Sequence, residues 1–203
     1  MDIVLNTVFN NPNLPKIPIY GFTDDFNRSA ADTLGVTAEG KPWVTLDAGS
    51  EVGTWGTTGN GTAKMKSAAT QTHTAVVDAL ASDGQLVAKL ARFDANLTGN
   101  RYGLAVRFQD MQNYIVLETT KSVPQLTLRK YVGGASSTVQ ASTLYPAPGD
   151  TITIDLSGTA IKVLLNGALA LTATVPELTT QTRHGMFAFA GSDAEWDSVE
   201  FTV

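Results

Sequence analysis

From Gly21 onward the chain alternates short β-branched or aromatic runs with Gly, Asp and Asn, and no window of about eleven residues carries a helical period. The pattern predicts an all-β protein. In Arg101–Gln109 strict alternation sets Tyr102, Leu104, Val106 and Phe108 on one side and Arg101, Gly103, Ala105, Arg107 and Gln109 on the other. A polar turn, Asp110-Met111-Gln112, leads into a second apolar run from Asn113 to Thr119. In Gln125–Val132 a third run turns Leu126, Leu128 and Val132 one way and Thr127, Arg129 and Tyr131 the other. The Asn166-Gly167 pair inside Ile161–Leu171 is the signature of a type I′ hairpin turn. A two-residue loop there predicts Leu165 opposite Ala168 and Val163 opposite Ala170, all on one buried face. Further strands read near 43–46, 62–66, 73–80, 85–94, 137–145, 150–156, 185–190 and 195–203, and Gly56, Gly59 and Gly61 read as a turn between two of them. About a dozen strands at regular spacing, with no internal repeat, predict a two-sheet antiparallel sandwich or jelly roll.

The first twenty residues behave differently. Pro12, Pro15 and Pro18 fix φ and push their predecessors extended, so this stretch is no helix. It is either a loose terminus or an arm, and Ile3, Val4, Leu5, Val8, Phe9, Leu14, Ile17 and Ile19 make it apolar for a solvated tail. Residues 1–20 are therefore expected to be an extended arm that docks on a neighbouring subunit or a larger assembly, with 21–203 as the folded domain. Asp2 stands where a secretory signal would carry a basic residue, so no signal peptide is expected. No run approaches the roughly 20 apolar residues of a membrane span. The Asn-x-Ser/Thr triplets at Asn27, Asn60 and Asn96 are then chance occurrences in a threonine-rich chain.

Composition narrows the chemistry. The 203 residues are 43% hydrophobic and 16% charged, enough for one sizeable core without disulfides. The absence of cysteine excludes thiol catalysis, cysteine-ligated zinc and iron–sulfur clusters. With 14 Lys+Arg against 19 Asp+Glu the chain lacks the basic footprint of a phosphate-backbone binder, so nucleic acid is not an expected partner. That acidic balance suits a surface for neutral sugars.

Several motifs touch known chemistry. Gly35 to Lys41 matches the first part of a phosphate-binding loop, but Pro42 stands where the Mg²⁺-binding hydroxyl belongs and blocks the helix that the mechanism needs. Glu195-Trp-Asp197-Ser-Val-Glu200 has the Glu-x-Asp-x-x-Glu spacing of jelly-roll glucanases, in which paired carboxylates serve as nucleophile and acid. On an unbulged strand, however, Glu200 points away from Glu195 and Asp197, and Val199, Phe201 and Val203 mark a closing core strand. His73 and His184 are the two histidines, and no nucleophile elbow or histidine-rich metal site accompanies them. The remaining candidate is a surface: Arg107, Glu118 and Arg129 fall on three successive strands, with Tyr131 and Tyr114 beside them. Rings flanked by planar donors and acceptors hold sugars by stacking and hydroxyl hydrogen bonds. The plain alternative is a solvated ladder of ion pairs that contributes little.

The segment Gly21-Phe-Thr-Asp-Asp-Phe-Asn-Arg28, with Leu34-Gly35, Lys41-Pro-Trp43 and Gly53-Thr-Trp-Gly56, resembles the opening of concanavalin A-like lectin/glucanase (laminin-G-like) domains. Within that superfamily it is most similar to versions in minor tail proteins of phages that infect actinobacteria. Tyr102–Phe108 with Asp110, Asn113 and Tyr114, then Val163–Gly167, His184–Phe189 and Trp196–Phe201 extend the resemblance over roughly residues 21–203. It implies a jelly roll whose first strand, around Phe22–Phe26, pairs with its last, around Asp197–Val203. It further implies glycan binding on the concave sheet or at its rim, for which the residues already singled out by strand placement, Arg107, Tyr114, Glu118, Arg129 and Tyr131, are the candidates. Many such domains hold a structural Ca²⁺ near the paired termini, and the positions that carry over are Asp25 and Asp197, with oxygen ligands suited to calcium. On this resemblance the protein is a non-enzymatic, lectin-like component of a phage tail, anchored in the virion by residues 1–20, by analogy a homo-oligomer such as a trimer, and directed at a host cell-surface glycan. A glycan hydrolase using Glu195 and Glu200, and a purely structural tail component, are the competing readings.

Overall fold

The computed structural model describes residues 19–50, 52–66, 71–93, 101–120, 125–189 and 192–203. Residues 1–18 of the expected arm lie outside that set, while Ile19 and Tyr20 are exposed. In chain order the strands are Phe22–Asp24 (β1), Val44–Asp47 (β2), Trp55–Thr57 (β3), Ala63–Met65 (β4), Thr72–Asp78 (β5), Gly84–Arg92 (β6), Arg101–Asp110 (β7) and Asn113–Thr120 (β8). Leu126–Val132 (β9), Ala135–Ser142 (β10), Thr151–Ser157 (β11), Ala160–Leu165 (β12), Ala168–Thr174 (β13), Arg183–Phe189 (β14) and Glu195–Thr202 (β15) follow. No helix occurs among the described residues.

The strands form two antiparallel sheets. Seven pair in the order β10-β9-β8-β7-β14-β5-β2, and eight in the order β13-β12-β11-β6-β15-β4-β3 with β1 added to β15. The first strand thus closes on the last, Phe22 opposite Phe201 and Asp24 opposite Val199. Gly21 makes that closure feasible: its φ of +80° suits glycine, and a Cβ there would run into the Phe201 carbonyl. At the end of β1, the buried Asp24 carboxylate accepts N–H bonds from Phe26 (2.9 Å), from both Nη atoms of Arg28 (2.8 and 2.7 Å) and from Trp43 Nε1 (2.7 Å). This carboxylate therefore caps the turn that follows it and pins the opening loop to the sandwich.

The core fills the space between the sheets. Leu86, Leu90, Trp196, Val199 and Phe201 come from one side, and Leu104, Val106, Ile115, Leu117 and Met186 from the other. The alternation predicted for β7 holds through Val106 and then breaks. The register with β14 slips by one residue between Ala105 and Phe108, that with β8 also shifts between Val106 and Asp110, and Arg107 there adopts φ +48°. An extra residue in one strand reverses the side-chain sequence beyond it. Phe108 consequently joins Val76, Ala105, Tyr114, Val116 and Phe187 in a second cluster, on the side of the seven-stranded sheet away from the main core. A second bulge corrects the hairpin. Asn166 and Gly167 have the positive φ values of the predicted turn, +50° and +79°, and Leu165 does face Ala168, but the shift after Val163 makes Leu171 its partner instead of Ala170.

Candidate functional site

The outward face of the seven-stranded sheet gathers most of the aromatic and charged residues that sequence alternation had marked. Phe187 and Phe189 come from β14, Phe108 from β7, Tyr114 from β8 and Tyr131 from β9. Tyr131 stacks flat on Tyr114, centroids 4.4 Å apart and planes within 8°, and Tyr114 packs on Phe108 at 5.6 Å. Tyr114 is buried beneath this stack, and burial holds its hydroxyl well above the usual phenol range, so it stays neutral. The half-exposed Tyr131 is the ring that meets solvent. The tip of the β7–β8 hairpin folds over one end of the face: Thr74 Oγ1 donates to Met111 Sδ at 3.7 Å, and Arg183 donates to the Gln109 carbonyl. Residues at the other end remain half-exposed.

At that other end stands a three-residue ionic cluster. Glu118, 2% exposed, accepts from Arg101 Nη1 at both carboxylate oxygens (3.2 and 3.1 Å) and from Arg129 Nε at Oε1 (3.0 Å). Arg101 in turn lies over the Phe189 ring, its guanidinium carbon 4.0 Å from the centroid. Glu118, Arg129, Tyr114 and Tyr131 are thus brought together on one face. Arg107 is not. The bulge turns it into the interior, where it is fully buried, donates from Nη2 to Asp83 (2.8 Å) and from Nε to the Ser82 carbonyl (3.3 Å), and gives its backbone N–H to His184 Nδ1 (3.3 Å). Its expected place beside Glu118 is taken by Arg101, because Gly103 pairs with Glu118 and Arg101 lies diagonally across from it on the same face. The alternation of 101–109 contained that signal, since it placed Arg101 on the side of Arg107.

The other expected sites are dispersed. The motif in β15 sits on the eight-stranded sheet, and that strand is bulged between Trp196 and Ser198. The bulge directs Trp196, Val199 and Phe201 into the core and leaves Glu195, Asp197 and Glu200 on the side away from it, so Glu200 does not oppose Glu195 as an unbulged strand would require. Val203, expected on the core side, is exposed. Glu195 accepts from Thr62 Oγ1 (3.1 Å) and Lys64 Nζ (3.4 Å). Asp197 accepts from Lys89 Nζ (2.8 Å), and the exposed Asp25 accepts the Asn27 backbone N–H (3.0 Å). Among the described residues no group of three or more His, Cys, Asp or Glu is placed to hold a metal. His73 is buried with Nδ1 2.5 Å from Asp47, and His184 is buried against Phe201. The Gly35–Lys41 segment closes as a tight loop, Trp43 N–H to Gly35 carbonyl 3.0 Å.

No protein-family model matches the chain, and no curated protein matches it in sequence. Solved structures do share its fold. A prokaryotic β-1,3-1,4-glucanase (lichenase) derived from a mouse hindgut metagenome superposes with a TM-score of 0.62 over 90% of this chain and 98% of its own, at 10% identity. The Bacillus licheniformis β-glucanase gives 0.55 over 91% and 98%, at 14% identity. Carbohydrate-binding module CBM66 from Bacillus subtilis gives 0.53 over 78% and 90%, at 18% identity. The architecture is therefore the concanavalin A-like jelly roll shared by such modules and glucanases.

Proposed function

We propose that this chain is a non-enzymatic carbohydrate-binding domain whose ligand lies on the outward face of the seven-stranded sheet, against the Tyr131 ring and the guanidinium groups of Arg129 and Arg101. One observation carries the reading: a half-exposed tyrosine, held flat against a buried tyrosine on the neighbouring strand, shares its sheet face with two guanidinium groups pinned by one buried carboxylate. A rigid ring and fixed donors give a sugar a stacking surface and hydrogen bonds at low ordering cost. The shared fold with a carbohydrate-binding module and with glucanases supports this class of ligand. The β15 carboxylates lie on the other sheet with Glu195 engaged by Lys64 and Thr62, and the bulge that sets Glu195, Asp197 and Glu200 on one side of that strand is the observation that favours the alternative, a hydrolase.

The finer reading rests on the resemblance of Gly21–Arg28 and the later strand motifs to phage minor tail proteins. In it the domain is carried on a virion tail by residues 1–20 and presented to glycans of an actinobacterial envelope. The test is a binding measurement on a panel of purified cell-wall polysaccharides and on intact actinobacterial cells, with the parent and Tyr131→Ala. The parent binds, and Tyr131→Ala, folded by circular dichroism, binds roughly tenfold more weakly or worse. Parent binding to no glycan overturns the carbohydrate reading, equal binding by both proteins moves the site elsewhere, and binding to purified glycans but to no cells removes the host-attachment role.

A further inference from the structure

We infer that the site selects acidic saccharides, with the guanidinium groups of Arg101 and Arg129 receiving a sugar carboxylate beside the Tyr131 ring. This rests on the carbohydrate-binding reading above. Among the described residues the cluster is unbalanced: two guanidinium groups share one carboxylate, Glu118, leaving one positive charge although the whole chain carries a net charge of -5. Holding Glu118 requires only one arginine, so the second is surplus to the ion pair. Arg101 spends one Nη on Glu118 and Arg129 spends its Nε, and none of the described residues takes their remaining N–H groups. Both side chains are partly exposed, 22% and 27%, whereas the Glu118 side chain between them is 3% exposed. A bound anion would reach the arginines without displacing the buried carboxylate.

Geometry favours a carboxylate attached to a ring. The guanidinium group is a planar fork that matches a carboxylate, and Arg101 is oriented by its contact with Phe189. Tyr131 follows Arg129 by two residues and points to the same side of β9, so ring and guanidinium root about 7 Å apart along the strand. The Arg129 guanidinium leans toward Glu118, opposite Thr127 and away from Tyr131, so neighbouring units of a uronic acid polymer span the interval, one on the ring and the next with its carboxylate at the arginines. Completing a two-to-two set of charges on a water-poor floor is where ion pairing gains most over solvent.

The measurement compares polygalacturonate with the same polymer after reduction of its carboxyl groups, by calorimetry or affinity electrophoresis at low and high salt. The parent prefers the acidic polymer by about tenfold or more at low salt, and the preference shrinks as salt rises. Arg129→Gln removes the preference, its affinity for the acidic polymer falling by about tenfold more than its affinity for the reduced one. Arg129→Lys, which keeps charge and loses the fork, falls between and serves where the glutamine variant does not fold. Arg92→Gln deletes an equal charge from an exposed arginine of the eight-stranded sheet and changes neither affinity. Equal parent affinity for both polymers, or an Arg92→Gln effect as large as that of Arg129→Gln, overturns acid selection while the carbohydrate reading stands. Binding to neither polymer overturns it as well, and the broader reading falls only if the glycan panel and the cells are also unbound.

Discussion

At the scale of single residues, Arg107 and His184 show how one backbone irregularity assigns roles. A strand residue with positive φ loses its place on the sheet face, and Arg107 thereby exchanges a solvent-facing ladder for a buried post between β7 and the 81–83 segment. His184 completes the arrangement. Its Nδ1 accepts the Arg107 N–H, its Nε2–H donates to the Ala81 carbonyl (3.0 Å), and its ring stacks on Phe201 at 4.1 Å. Burial disfavours the charged imidazole and pushes its pKa down to about 4. Below its ordinary value near 6.5 the unfolded chain binds a proton that the folded chain refuses, so stability is full above pH 6.5 and declines as pH falls toward 4. The slope contributed by this residue is about 1.4 kcal/mol per pH unit, and urea titrations at stepped pH should lose it in His184→Gln. None of this was legible in the sequence. The alternation of 101–109 is unbroken on paper, and a single-residue bulge leaves no compositional mark when its residue is an arginine. Glu118, Arg129 and Tyr131 were legible, because each lies in a run whose parity the structure keeps.

At the scale of elements, the strands were largely readable and their registers were not. The Asn166-Gly167 turn and the β7–β8–β9 meander follow patterns present in the chain, while the pairing of β1 with β15 was implied by the family resemblance alone. Three-residue β3 at Trp55–Thr57 was absorbed into a glycine-rich turn, since so short a strand shows no period to detect. The folding of Met111 onto Thr74 was also out of reach, because it depends on how far a hairpin curls over its own sheet. Two glycines carry that sheet. A Cβ on Gly103 would run into the Leu117 carbonyl, and one on Gly185 into the Ala75 carbonyl, so β7 and β14 approach their neighbours more closely than any side chain permits. Gly103→Ala should therefore destabilise by about 1–3 kcal/mol, read as a lowered urea midpoint at unchanged slope. Because Gly103 pairs with Glu118, the same variant should weaken acidic-glycan binding through displaced arginines.

At the scale of the whole molecule, two sheets give two outward faces with separate chemistry. Rings and surplus arginine lie on one, and the glucanase-like carboxylates of β15 lie on the other with Lys64 and Lys89 as partners. Glu195→Gln and Glu200→Gln should accordingly bind glycans as the parent does, and neither should alter the yield of reducing sugar from any bound polymer. Sequence spacing suggested a catalytic pair; only the sheet order reveals that the pair faces away from the aromatic surface. The closure of β1 on β15 has a mechanical corollary. Gly21 and Thr202 leave the sandwich at the same end of an antiparallel pair, so tension between the two flanks peels Phe22 from Phe201 first and loads the remaining bonds one at a time. Peeling yields at lower force than shearing, and it halts where Asp24 is bolted to Arg28 and Trp43.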